Sequence, residues 1–324
     1  MRHHVLRAIA SAVALAATAP CHAEAPYPHK PVRIVVPLAA GGTVDIVARS
    51  LAQKLTEQLG QQVIVENRPG VSSLVGTQYV AKAPPDGYTL LAIANTFATV
   101  PAIMSNPGYD AGRDFTPISL TARIPQVLDV TPSLPVRTVK ELIALAKARP
   151  NQLSYASSGT GSTGHIAAEL FNVKAGVKML HVPYKGNAPA LVDLIGGQVM
   201  LFFDQLSTSV PYIDGNKLRP IAVTTRTRAP RYPNLPTIDE SGLRGYDVMT
   251  YNGLIAPAGT PREIVARLHS EVTKALQAPE LRARFQQQAI ELAASGSPEE
   301  FAAYLKSELA QNVKLAHDVG IRAE

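Results

Sequence analysis

The chain has 324 residues, 46% of them apolar and 17% charged. That apolar fraction, with no long polar or single-sign tract, excludes a disordered or fibrous chain and is enough for two domains around a substantial core. The formal charge of +6 is spread thinly, aromatics make up 6% and Trp is absent, so the basic face and stacking rings of a nucleic-acid platform are missing and no nucleic-acid partner is expected.

Residues 1–23 read as an export signal. Arg2 and Arg7 flank the start of an Ala/Val/Leu/Ile run from Ala8 to Ala17, and Cys21-His22-Ala23 offers a small-x-small cleavage site. The run is about half of the roughly 20 residues that a bilayer span needs. Cleavage after Ala23 removes the single Cys, which excludes disulfides, thiolate metal sites and cysteine nucleophiles from the mature chain. A lipid anchor at Cys21 is poorly matched by Thr18-Ala19-Pro20. No later apolar run reaches membrane-spanning length, so the expected product is a soluble protein of a bacterial periplasm.

Val32 to Val36 is a β-branched run stopped by Pro37, as in a buried parallel strand. Leu38 to Gly42 makes a tight loop, and from Thr43 the residues Val44, Val47, Ala48, Leu51, Leu55 and Leu59 keep helical spacing until Gly60. Strand Val63 to Val65, a helix near Leu74 to Ala83, a turn at Pro85-Asp86-Gly87 and strand Tyr88 to Ala94 follow. Pro and Gly cluster from Pro101 to Pro117, where a connection is expected. A second cycle begins with helix Val139 to Ala148, strand Leu153 to Ala156 and a glycine loop at Ser157 to Gly161. It continues through helix Thr163 to Lys174, strand Met179 to Val182, a helix around Ala188 to Ile195 and strand Val199 to Phe203. Strands at Leu218 to Thr225 and Val248 to Ala256 flank a connection at Arg228 to Gly245, and two or three helices fill Pro261 to Gly320. Strands interleaved with helices define an α/β chain.

A strand that turns through glycines into a helix leaves the first helical N–H groups unpaired at the positive end of the helix dipole, which makes an anion site. In the first such loop Gly41-Gly42 admits close approach of a ligand, Thr43 can cap the helix and Asp45 lies in the first turn. The second, Ser157-Ser158-Gly159-Thr160-Gly161-Ser162-Thr163, adds hydroxyl donors. Either loop alone reads equally as a connector, with Asp45 and Ser162 as helix-start residues. As a pair, one in each half, they can face each other across a cleft.

Other chemistries find less support. Gly159 to Gly164 satisfies the dinucleotide pattern GxGxxG, but the region about 20 residues on, Met179 to Tyr184, has no acid for a ribose. There is no GxSxG elbow, and Ser162 with His165 lacks a third orienting group. His29, His165, His181, His269 and His317 show no metal-ligand spacing, and His165 and His181 read more readily as core or supporting residues. No cofactor, metal or catalytic constellation is expected.

The chain resembles the receptors of tripartite tricarboxylate transporters, the Bug or TctC-type periplasmic solute-binding proteins. The resemblance rests on YPHKPVRIVVPLAAGGTVDIVAR at Tyr27 to Arg49, VENRPG at Val65 to Gly70, PPDGYTLL at Pro84 to Leu91 and YASSGTGSTGH at Tyr155 to His165. It continues through HVPYKGNAPALVDLIGGQV at His181 to Val199, LPTIDESG at Leu235 to Gly242 and GLIAPAGTP at Gly253 to Pro261. Two departures stand out: Val71-Ser72-Ser73 replaces a glycine-rich loop, and Tyr251 stands near a position where members commonly carry Trp.

The resemblance implies an α/β, two-lobed periplasmic binding protein of type II, a Venus flytrap with its ligand cleft between the lobes. Residues 24–124 and 248–324 would build the first lobe and 125–247 the second, with crossings near Ala122 to Val127 and Tyr246 to Asn252. It implies that a ligand carboxylate is held by Ala40, Gly42 and Asp45 on one side and by Ser158, Gly159, Thr160, Ser162 and His165 on the other. Asp204, at the end of its strand, is a further candidate to meet the ligand or to cap the next helix, and Thr96 beside Asn95 is a candidate for the cleft wall. The expected function is capture of a small carboxylate and its delivery to a permease with one large and one small integral-membrane subunit, by a monomeric receptor that is not an enzyme. An exported hydrolase of carboxylate esters and a ligand sensor for a signalling kinase are the competing readings.

Overall fold

A computed structural model describes residues 27–70 and 73–319. The expected signal segment and the Val71-Ser72 departure lie outside the described residues. In the first lobe, β1 (Val32–Val36) lies between β2 (Val63–Asn67) and β3 (Thr89–Ala94), parallel to both. Strand β9 (Met249–Pro257) runs antiparallel to β3, and β4 (Phe115–Val130) antiparallel to β9. In the second lobe, β5 (Ser154–Ser157) is parallel to β6 (Leu180–Pro183) and β7 (Leu201–Gln205), while β7 and β8 (Arg219–Val223) run antiparallel to β4. A short β10 (Glu291–Leu292) also pairs with β4.

Strand alternation splits each lobe's core into two layers. Ile34 and Leu90 face α1 (Thr43–Leu59), α8 (Arg262–Leu276) and α9 (Pro279–Gln287), where Leu55, Leu268 and Phe285 pack. Val35 and Leu91 face the opposite way, toward α2 (Leu74–Ala81), α3 (Thr96–Ile103) and α10 (Pro298–Val319), through Val80, Phe97 and Phe301. In the second lobe Leu201 and Phe203 meet α4 (Val139–Ala148) and α5 (Thr163–Ala175), whereas Phe202 meets α6 (Asn187–Ile195). Helix α7 (Leu206–Asp214) packs Leu206 and Val210 on Val127 and Val223. These period-2 faces, each covered by helices, are what a mixed sheet buried on both sides demands.

The structure keeps a connection over residues 104–114, but two elements enter the ends of the expected Pro101 to Pro117 span. Helix α3 runs through Pro101. Proline there removes the N–H that would reach the Phe97 carbonyl, and the Tyr109 hydroxyl donates to that carbonyl instead (3.3 Å). Strand β4 contains Pro117 and Pro125, and its register against β9 shifts between Pro117 and Ser119, the kind of irregularity that accommodates a proline. Helix α7, with Pro211 inside it, is the helix expected after Asp204, but its N-cap residue is Gln205 and no side chain caps it.

Strand β4 is shared by both lobes: it pairs with β9 from Phe115 to Pro125 and with β7 from Gln126 to Val130. At this changeover Gln126 Nε2 donates to Thr250 Oγ1 (2.7 Å). Asn95 clamps the second connecting strand, donating to the Met249 carbonyl (3.0 Å) and accepting from the Tyr251 N–H (2.9 Å). The C-terminal helix then spans the lobes, with Leu315 and Ala316 packing beside Ile166 of α5 and Ala102 and Ile103 of α3.

Candidate functional site

The first glycine loop is exposed at Ala40, Gly41 and Gly42. Gly42 is the N-cap residue of α1, in an extended conformation (φ −75°, ψ 167°), and no side chain caps this helix, so Thr43 does not take the capping role expected of it. Among the described residues, the N–H groups of Gly42, Thr43 and Val44 have no intramolecular acceptor, as the opening turn of a helix leaves them. Asp45 is buried beneath the loop. Its carboxylate accepts from the Gly41 N–H (2.9 Å), Arg49 Nε (3.0 Å) and Asn67 Nδ2 (2.9 Å). Burial works to raise its pKa, but these hydrogen bonds, with the Arg49 charge, hold it below the usual carboxylate range. Asp45 is therefore an anionic brace for the loop, and its charge is matched before any ligand arrives.

The second loop is braced by uncharged groups. The Gly161 N–H donates to His165 Nδ1 (3.0 Å), the Gly159 N–H to Ser157 Oγ (3.2 Å), and Ser157 Oγ lies 2.7 Å from His181 Nε2. The His165 and His181 rings stack at 3.9 Å and 8°, with the Tyr155 ring alongside both, 5.0 Å from His181 and 6.4 Å from His165. Burial pushes both imidazoles down to about 4, so both are neutral at pH 7 and His165 Nδ1 is free to accept. Ser162 is the N-cap of α5, its hydroxyl accepting from the His165 N–H (3.4 Å). The N–H groups of Ser158, Thr160 and Thr163 have no intramolecular acceptor among the described residues.

Both loops adjoin the seam between lobes. Thr43 Oγ1 donates to Gln205 Oε1 (3.2 Å), linking the start of α1 to the end of β7. A Cβ at Gly161 (φ +79°) would lie 2.5 Å from Ile103 Cδ1 of α3, so glycine there serves both the left-handed turn and the approach of the first lobe.

The remaining candidates stay within their own lobes. Thr96 Oγ1 lies 3.1 Å from Ser73 Oγ. Asp204, 1% exposed, accepts from Asn187, Thr208 and Ser209 side chains. Burial pushes its pKa up to about 6 against the pull of those bonds. Beneath it lies Asp129, fully buried, with no hydrogen-bond partner on either carboxylate oxygen among the described residues. Burial and the nearby Asp204 drive its pKa well above the carboxylate range. Asp129 and Gln205 both escaped the sequence reading. The apolar run Val127 to Val130 around one Asp was the available signal for a buried acid; nothing local marks Gln205.

Two α/β lobes joined by shared strands, each offering a glycine-opened helix start at the seam, are the architecture of a type II periplasmic binding protein. The profile of the tripartite tricarboxylate transporter family receptor (TctC) matches residues 47–321, and the chain belongs to that family of substrate-binding receptors. It is 38% identical over 323 residues to a UPF0065 protein from the tcbD-tcbE intergenic region of Pseudomonas sp. strain P51, covering 99% of this chain and 96% of that one. Among solved structures it is similar to R. palustris Rpa4515 with adipate (41% identity, TM-score 0.82, 91% of this chain and 99% of that one). It is also similar to MatC (Rpa3494) from Rhodopseudomonas palustris with bound malate (31% identity, TM-score 0.77, 89% and 99%). Among the described residues no helix is long and apolar enough to cross a membrane.

Proposed function

We propose that this protein is a periplasmic receptor for a small aliphatic dicarboxylate, which it delivers to a permease of one large and one small integral-membrane subunit. One carboxylate of the ligand lies between the two glycine loops, at Ala40, Gly42, Ser158, Gly159 and Thr160. Ser162, His165 and Asp45 hold those loops in place, while Thr96 and Asp204 stand in the surrounding wall. Residues 24–124 with 248–324 form one closing unit and 125–247 the other, after removal of a signal ending at Ala23. The observation that carries the reading is the pair of unsatisfied N–H sets at the starts of α1 and α5, brought to one seam by the Thr43 to Gln205 bond. Backbone donors of this kind hold an anion without a fixed cation, so a bound carboxylate is released when the lobes part. The adipate and malate held by two similar proteins support the ligand class.

The test is a thermal-shift and calorimetric panel on the mature chain, with adipate, malate, an aromatic carboxylate and an acidic amino acid. A dicarboxylate at 100 times its Kd stabilises the protein by about 2.7 kcal/mol and is recovered unchanged. Gly42→Leu folds normally, since a Cβ there meets only the Ala39 carbonyl at 3.8 Å, and loses at least about tenfold in affinity, or 1.4 kcal/mol. Unchanged affinity in Gly42→Leu, or a panel with no dicarboxylate response, overturns the assignment.

A further inference from the structure

A cavity of about 550 Å³ lies between α5, α10 and the chain returning from the second lobe. Of the glycine-loop residues only Thr163, the first residue of α5, reaches its lining; none of Ala40 to Gly42, Ser158 to Gly161 or Asp204 does. Its two helical walls differ in chemistry. Ile166, Leu170 and Val173 of α5 present an apolar stripe at helical spacing, while Tyr304, Glu308 and Asn312 of α10 recur every fourth residue and present a polar one.

The polar wall is unsatisfied. Asn312 is only 8% exposed, yet its side-chain amide makes no hydrogen bond among the described residues. Half-buried Glu308 has neither an ion pair nor a hydrogen bond among them, and the Tyr304 hydroxyl likewise has no bonded partner. Lys174, Arg226 and Lys314 also line the cavity, but none of them forms an ion pair with Glu308: Arg226 pairs with Asp247 at 3.2 Å, and Lys174 donates to the Arg244 carbonyl at 2.9 Å. Burial and repulsion from Asp247 push the Glu308 carboxyl up to about 7. Neither side chain has a polar atom sealed from the cavity, so both are open to whatever occupies it.

We propose that this cavity is a second binding site, taking a small primary ammonium compound whose N–H groups meet Glu308, Asn312 and Tyr304 and whose apolar body lies on Ile166, Leu170 and Val173. An ammonium supplies the charge Glu308 lacks and three donors to a wall rich in acceptors. Because the walls come from both lobes and the returning hinge segment, occupancy is linked to the hinge angle.

The test is calorimetry and ligand-observed NMR on the mature chain with n-butylamine and benzylamine, with n-butanol as the uncharged control. Saturable one-to-one binding of an amine, at least about tenfold tighter than n-butanol and retained in Gly42→Leu, is expected. Glu308→Gln loses at least about tenfold of that affinity while dicarboxylate binding is untouched, and Asn312→Leu is the second variant, losing amine binding by filling the wall. No saturable amine binding, equal affinity for n-butanol, or unchanged amine affinity in both Glu308→Gln and Asn312→Leu overturns the proposal. Competition between amine and dicarboxylate that vanishes in Gly42→Leu also overturns it, because it places the amine in the cleft.

Discussion

The loop before α1 is braced by a charge, and the loop before α5 by neutral acceptors. Asp45 is buried, but half-exposed Arg49 reaches in to match it. The second loop is backed by a ring stack in which His165 is 5% exposed and no cation hydrogen-bonds to His165 or His181. A carboxylate there would be a buried, unmatched charge next to an anionic ligand, whereas an imidazole accepts the same kind of N–H bond without one. Two unlike braces thus aim the same kind of donor at one seam, and they fail differently.

Removing the charged brace has the largest expected effect. Asp45→Ala leaves Arg49 and Asn67 without their shared acceptor and opens a small void, costing about 2 kcal/mol of unfolding free energy in denaturant titrations. Dicarboxylate affinity falls with it, because Gly41 is no longer anchored. Asp45→Asn, which keeps the shape and one acceptor, recovers part of the stability. If Asp45→Ala matches the wild type in stability, the carboxylate is not the brace.

On the neutral side, His165→Phe keeps the ring stack but leaves the buried Gly161 N–H unpaired, at about 1.5 kcal/mol. The pH dependence separates the two loops more sharply. His165 and His181 are held near 4 in the fold, against 6.5 for a free histidine. The unfolded chain therefore binds protons that the folded chain refuses, so the stability they confer is complete above about pH 6.5 and is lost as pH falls toward 4. Asp204, raised to about 6, pulls the other way, its contribution being lost as pH rises through that value. The difference between wild type and His165→Phe reports the loss of one imidazole together with the rise it allows in His181, with a slope approaching about 1.4 kcal/mol per pH unit between those limits. Parallel pH profiles would show that His165 does not titrate with folding. Ser162→Ala removes only a long cap bond of 3.4 Å and costs roughly 0.5–1 kcal/mol by thermal melting.

Both glycine loops were legible in the sequence because each is local: a β-branched run, glycines and an amphipathic helix in one short window. Their braces were legible only where they too are local, as with Asp45 and His165, four residues from the N–H each holds. Asn67 and His181 arrive from other strands, and Gln205 is 162 residues from its partner Thr43, distances at which no periodicity carries information. Strand β4 was missed for a related reason. Its prolines signal a break, and only the tertiary setting, with a register shift at one and a change of partners beside the other, makes them compatible with a strand.

The smallest expected effect is the most diagnostic of closure. Thr43→Val keeps the side-chain shape and removes only the hydroxyl that donates to Gln205 across the seam. Both residues are half-buried, so water replaces the bond when the lobes separate, and unfolding free energy changes by no more than about 0.5 kcal/mol. On the proposed closure the bond forms only when the lobes are together, so its loss shifts the population toward the open form and weakens dicarboxylate binding about two- to fivefold. Gln205→Leu weakens it similarly, and the double variant is no weaker than the worse single one, since each single change already breaks the bond. Losses that add in the double variant would mean that the two side chains act on the ligand separately, and that the seam between α1 and β7 closes through other contacts.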